Sequence, residues 1–170
     1  MVTKFHLSLL LFSVATLSCE APQKNKEPKS IHFEKKRVHL NKMDSTLLHG
    51  TTHLSVYSSI YSQTEHRTHD LTATVSMRNL NLNDSLFITK AIYHDTKGNP
   101  VHTYFDYPVG MGPLETLEIV INEKEQLGGT GGNFIFEWYT PENLPHFESV
   151  MISTSGQQGI SFRTEGINLK

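Results

Sequence analysis

Apolar and polar residues alternate with a period of two along most of the chain after residue 50. The clearest case is residues 71–79, where Leu71, Ala73, Val75 and Met77 point one way and Thr72, Thr74, Ser76 and Arg78 the other. That pattern predicts a strand with one buried and one wet face. Asn and Asp crowd residues 79–84, a turn-rich connection, because their side chains bond their own backbone and tolerate left-handed conformations. Further strands are predicted over residues 54–61, 86–94 and 100–107, the last with Val101, Thr103, Phe105 and Tyr107 on one face. Asp95-Thr96-Lys97-Gly98 joins two of them as a hairpin turn. Pro108, Gly110, Gly112 and Pro113 then break the chain, and Leu117, Ile119 and Ile121 mark the next strand. In residues 134–139, Phe134, Phe136 and Trp138 oppose Ile135, Glu137 and Tyr139, which reads as a central strand carrying the aromatic core. Residues 150–154 and 159–163 complete the set. No stretch holds a 3.6-residue period for three turns. The fold class that follows is all-β, a single antiparallel immunoglobulin-like β-sandwich of about seven to eight strands.

The first 50 residues have a different character. Lys4 precedes a mostly apolar stretch at residues 5–17, interrupted by His6, Ser8, Ser13 and Thr16. A membrane span needs about 20 apolar residues, so this stretch suits the apolar region of a secretory signal. The chain's single cysteine, Cys19, follows Thr16-Leu17-Ser18. The constellation resembles the lipobox of bacterial lipoproteins, with Ser18 in the small-residue position; Thr16 stands where that motif prefers Leu. The resemblance implies a signal peptide at residues 1–18 and a lipidated Cys19 as the membrane anchor. Acyl chains contribute about 0.8 kcal/mol per buried methylene, enough together for stable anchoring. Residues 19–50 read as a tether and 51–170 as the sandwich domain. Within the tether, Phe33 and Val38 sit in short alternating pieces that can add a strand to the domain or lie on it.

Charge and cysteine content narrow the function classes. Residues 20–50 hold seven Lys/Arg against four Asp/Glu, a net of +3, and residues 51–170 hold seven against thirteen, a net of −6. A domain of that sign is a poor match for nucleic acid, which is bound through positive charge. One Cys allows neither an intramolecular disulfide nor a Cys-rich zinc site.

Several runs taken together resemble a family of uncharacterised bacterial envelope lipoproteins built on a domain of unknown function. They are VYSSIY at 56–61, LTATVSMRN at 71–79, GGTGGNF at 128–134 with Glu137-Trp138, and VMI at 150–152 with QGISF at 158–162. The resemblance covers about residues 54–165. It implies one domain in an envelope lipoprotein, facing the periplasm, and carries no activity with it.

Candidate chemistry is sparse. The glycine cluster at 128–132, with Gly129, Gly131 and Asn133, has the composition of a backbone anion nest. It lacks the Lys-Ser/Thr and following helix of a phosphate-binding P-loop, and a tight connection that only glycine fits accounts for the same residues. His66 and His69, followed by Asp70, have zinc or copper donor types. Arg67 between them opposes that reading, and a polar loop explains them equally. Glu137 beside Trp138 is the carboxylate to watch for hydrolase chemistry, with an ion pair to Arg78 or Arg163 as the alternative. Tyr93, Tyr104 and Tyr139, with Gly129, Gly131 and Asn133, form the candidate ligand or partner surface, since tyrosines sharing an outer face make a platform for glycan or protein. The expected function is thus a lipid-anchored, non-catalytic binding or assembly module without a cofactor. Its expected partners are the membrane through Cys19 and another envelope protein or envelope polymer. A glycan or small-ligand binder is the alternative, and a small envelope hydrolase the remaining one.

Overall fold

A computed structural model describes residues 33–39, 46–154 and 159–169. The expected signal peptide, Cys19 and the start of the tether lie outside the described residues. In chain order the strands are β1 (Leu48–Ser55), β2 (Ser59–Ser62), β3 (Thr64–Asp70), β4 (Thr72–Arg78), β5 (Leu86–His94), β6 (Pro100–Phe105), β7 (Val109–Met111), β8 (Thr116–Ile121), β9 (Asn133–Thr140), β10 (His146–Ser153), β11 (Ile160–Glu165) and β12 (Ile167–Leu169). A larger sheet has the order β12-β1-β9-β5-β6, with β7 also paired to β5, and a smaller one the order β11-β10-β4-β8. Every pairing is antiparallel.

The two sheets face each other across one hydrophobic core, so the fold is an all-β sandwich. From β4 come Ala73, Val75 and Met77, as their alternation requires, and from β9 come Phe134, Phe136 and Trp138. Phe136 stacks on Phe147 of the opposite sheet at 4.4 Å and on Phe134 at 5.2 Å. The buried indole N–H of Trp138 donates to Thr52 Oγ1 at 2.9 Å, which satisfies the one polar atom of that ring. Gly50 lies across the ring's far edge, where a Cβ would come within 2.6 Å of Trp138. On one side the sandwich closes through its own chain. At Gly166 the backbone leaves β11 in the small sheet and enters β12 in the large one, its N–H donating to Phe147 O at 2.8 Å.

The structure differs from the sequence reading in several places. The expected strand over 54–61 is two: β1 starts at Leu48 and ends at Ser55, and β2 begins after a break at Val56–Ser58. Residues 64–70, read as a polar loop, form β3, which among the described residues pairs only with β2 and makes a two-stranded arm beyond the sandwich. The arm buries almost nothing along β3, so no alternation marks it. Residues 33–38, which the sequence allows to add a strand to the domain or to lie on it, lie on it. Phe33 packs on Phe105 at 4.8 Å, Arg37 bridges Val109 and covers the Tyr107 ring at 4.7 Å, Val38 N–H donates to Pro108 O at 3.0 Å, and Lys36 Nζ pairs with Glu115 at 2.5 Å.

Another difference concerns residues 79–84. Asn79 and Asn81 are almost completely buried and bolt one end of the sandwich together. Asn79 Nδ2 donates to the carbonyls of Asp84 (2.8 Å), Gly112 (2.8 Å) and Met111 (3.2 Å), while its Oδ1 accepts from the backbone and side-chain nitrogens of Asn81. Asn81 Nδ2 also donates to Thr140 Oγ1 at 3.1 Å, and its Oδ1 accepts from Asn143 N–H at 2.8 Å. These side chains stand in for backbone partners that the converging loops lack.

Candidate binding surface

The end of the sandwich opposite the asparagines carries the glycine loop, the arm and a polar cleft. The glycine loop is internally bonded. Its N–H groups at Gly129 and Gly131 donate to Ser58 Oγ (2.8 Å) and Thr96 Oγ1 (3.0 Å), and Thr96 Oγ1 donates to Gly128 O at 3.1 Å. With those two amides committed, Gly129 and Gly131 present no anion nest. The loop is instead a tight connection. A Cβ on Gly128 would fall 1.7 Å from the Tyr93 hydroxyl, and Gly129 has φ +64°.

Tyr93 is therefore not a surface residue. Its ring is fully buried and stacks on Phe134 at 4.8 Å, and its hydroxyl donates to Val56 O at 3.0 Å. Burial pushes the phenol up to about 12. The cause is an irregularity in β5. Leu86 and Ile88 face the core, but the register shifts between Ile88 and Lys90, so that Ala91 and Tyr93 face it next. A second shift displaces the register of β6. Thr103 pairs with Ile92 and is exposed, whereas Phe105 pairs with Ala91 and is buried, and Tyr104 between them is half-buried against Phe134 at 5.4 Å. Burial raises the Tyr104 phenol as well.

The remaining candidates do not converge. Asn133 opens β9, paired with Ser55 and His94, whereas Tyr139 lies six residues further on, about 20 Å along the same strand. Tyr139 is half-buried and stacks on His49 at 5.6 Å. His66 lies in the irregular part of β3, opposite the register shift at Tyr61/Ser62, and His69 in its regular part, paired with Ile60. His66 stands in solvent 3.4 Å from Glu65. Among the described residues no group of three His, Cys, Asp or Glu is placed to hold a metal. Glu137 pairs with Lys90 at 2.8 Å rather than with Arg78 or Arg163, and this hydrogen bond raises the lysine's affinity for its proton. Arg78 pairs with Glu148, and Arg163 pairs with Glu165 at 2.8 Å. Arg78 donates to Glu148 through Nε and Nη2 at 3.0 and 2.5 Å and holds its carboxyl below the usual range, with Arg163 3.9 Å away.

Two features of this end escaped sequence reasoning. The first is Tyr61, on β2, which is 61% exposed while the other five tyrosines are half-buried or buried. The second is a cleft of about 340 Å³ at the base of the arm, lined by Thr68, His69, Asp70, Glu123, Ser153 and Thr154. Gln126 Nε2 donates to Asp70 Oδ2 at 3.1 Å and fixes that carboxylate beside the cleft. Tyr61 pairs across the arm with Thr68, so the tyrosine, Thr68 and Asp70 share one face of it. The residues come from four separate stretches of chain, and only the run His69-Asp70 was visible as a cluster.

Among solved structures, the fold has a likeness to that titled "Crystal Structure of Thermotoga maritima 1070", with 9% identity, a TM-score of 0.46, and coverage of 69% of this chain and 92% of that one. No curated protein matches the chain. A family model described as "Protein of unknown function (DUF3124)" matches residues 49–169, β1 through β12, and the chain belongs to that family.

Proposed function

We propose that this protein is a lipid-anchored cell-envelope module, held on the membrane through Cys19 and facing the periplasm. It presents one end of a rigid sandwich to another envelope protein or to an envelope polymer. The anchor reading is supported by the apolar stretch that ends at the chain's single cysteine. The observation that carries the binding reading is the β2–β3 arm. Among the described residues its two strands pair only with each other, and it projects Tyr61, Glu65, His66 and Arg67 into solvent. A projecting pair of strands with free edges adds little to the core and is suited to contact with a partner. The carboxylate weighed for hydrolysis supports the same reading, since Glu137 is engaged with Lys90 in an ion pair that ties β9 to β5.

Cell fractionation of the Cys19→Ser variant tests the anchor. The variant is expected to leave the membrane fraction, and retention there contradicts a lipid anchor. A photoreactive amino acid in place of Tyr61 tests the contact surface, with the same group in place of Val120 on the smaller sheet as the control. A discrete adduct from position 61 that is missing from position 120 is expected; equal capture from both contradicts the arm as the contact surface.

A further inference from the structure

We propose that the cleft at the base of the β2–β3 arm binds a neutral saccharide, with Tyr61 as the stacking platform for the sugar ring. This deepens the binding reading above and rests on it, adding the chemistry of what is bound. The cleft's volume of about 340 Å³ lies at the small end of ligand sites, which run about 300–1,000 Å³. Among the described residues its lining contains no aliphatic or aromatic side chain, so these offer an apolar ligand nothing to bury against. What it offers is hydrogen bonding of both senses. Asp70 and Glu123 supply carboxylate acceptors, and Thr68, Ser153 and Thr154 supply hydroxyls that donate or accept. Neighbouring hydroxyls on a sugar ring need this mixture, each donating to a carboxylate while accepting from a hydroxyl.

Charge selects among saccharides. Among the described residues neither Lys nor Arg lines the cleft, two carboxylates do, and residues 51–170 carry a net −6. Phosphorylated, sulfated and uronic acid polymers are therefore disfavoured, and a neutral sugar meets no repulsion. A bare divalent cation is also a poor occupant, because no group of three His, Cys, Asp or Glu among the described residues is placed to hold one. The apolar C–H face of a sugar needs an aromatic surface, and Tyr61 supplies it. It is opposite Thr68 in the arm, at a separation of about 5 Å between Cβ atoms, and its ring is 61% exposed. The Gln126 bond to Asp70 holds one carboxylate in place before binding and so lowers the ordering cost.

The full chain in mild detergent, titrated calorimetrically with N-acetylchitotetraose and with cellotetraose, tests the proposal. Saturable binding of at least one probe is expected, with a Kd on the order of 1 mM or tighter. Tyr61→Ala and Asp70→Asn should each weaken it by about tenfold or more, whereas Tyr61→Phe, which keeps the ring, should retain it. Both positions are exposed, and an unchanged melting temperature will confirm that each variant is folded. The proposal is overturned if neither probe binds, if binding survives both Tyr61→Ala and Asp70→Asn, or if calcium alone binds and neither sugar does. Loss of the saccharide proposal with a position-61 adduct to a protein intact leaves the arm as a contact surface and removes only its ligand chemistry. Equal cross-linking from positions 61 and 120 with saccharide binding intact does the reverse.

Discussion

The two ends of this sandwich use the same kinds of polar residue for opposite purposes. At one end Asn79, Asn81 and Thr140 are buried, and their side chains are bonded to each other and to loop backbone. At the other, Asp70, Glu123 and Thr154 open onto a cleft, and the arm beyond them stands in solvent. Side-chain type alone does not separate the cases. What separates them is whether converging loops leave backbone groups that only a side chain can satisfy. The asparagine end closes the core, with the docked segment at residues 33–38 lying along β7 and Tyr107 on the flank of the larger sheet. The arm end contributes surface.

The contrast is sharpest in stability. Asn79→Ala removes the donor to three carbonyls and the acceptor for Asn81, and leaves those groups buried. It is expected to cost about 2–4 kcal/mol in denaturant unfolding. Tyr61→Ala, on the arm, should stay within about 0.5 kcal/mol of the parent chain. Comparable losses at the two positions would end the distinction drawn between the ends.

Next in size is Gly128→Ala. The new methyl would displace the Tyr93 ring end and its bond to Val56, at a cost of about 1–3 kcal/mol. Thermal unfolding reads it directly, and a neutral result would mean that the glycine loop is not packed on Tyr93.

Phe33→Ala should cost about 1 kcal/mol, because the ring is only half-buried against Phe105. The same variant should speed proteolysis within residues 33–39. Unchanged cleavage there would show that the segment is not held by that contact.

The smallest expected effect is a pH dependence at Glu148. Its carboxyl is held low in the folded state, chiefly by the Arg78 hydrogen bond. The associated stability is therefore present above the unfolded carboxylate value, about 4.3, and is lost as pH falls through the lower folded value. Arg78 is partly exposed, so the contribution should be below about 1 kcal/mol. Arg78→Met should flatten the acid limb of the stability profile; an unchanged limb would assign it to other groups.

Sequence legibility followed burial. Residues 71–77 and 134–140 each present one face to the core, and their alternation places every inward side chain correctly. The register shift at Ile88/Lys90 reverses the parity of β5 and turns Tyr93 inward, and shifts at Ala91/Ile92 and Tyr93/His94 displace β6 against it. No residue near them announces a shift, so in sequence the tyrosines read as a shared platform. The arm was hidden for the opposite reason. Its β3 strand TEHRTHD buries no face, so it has a strand's geometry without a strand's pattern. Asn79 and Asn81 were legible as turn residues but not as buried ones, because their partners Met111, Gly112, Thr140 and Asn143 come from distant loops. The cleft at the arm's base is assembled from equally distant segments, and of these only His69-Asp70 reads in sequence as a cluster of candidate ligands.

The most direct test of the central claim is to remove the arm and ask both questions of one molecule. Residues 61–68 are replaced by an Asn-Gly turn that joins Ile60 to His69, a cross-strand pair. Melting temperature and in-cell cross-linking are then measured, with the photoreactive group placed at Thr154 on the rim of the cleft in both the parent and the shortened chain. The expected result is a sandwich that melts with its parent and loses the adduct. An intact adduct, or a sandwich that no longer folds, would contradict the division between a closed structural end and a presenting end.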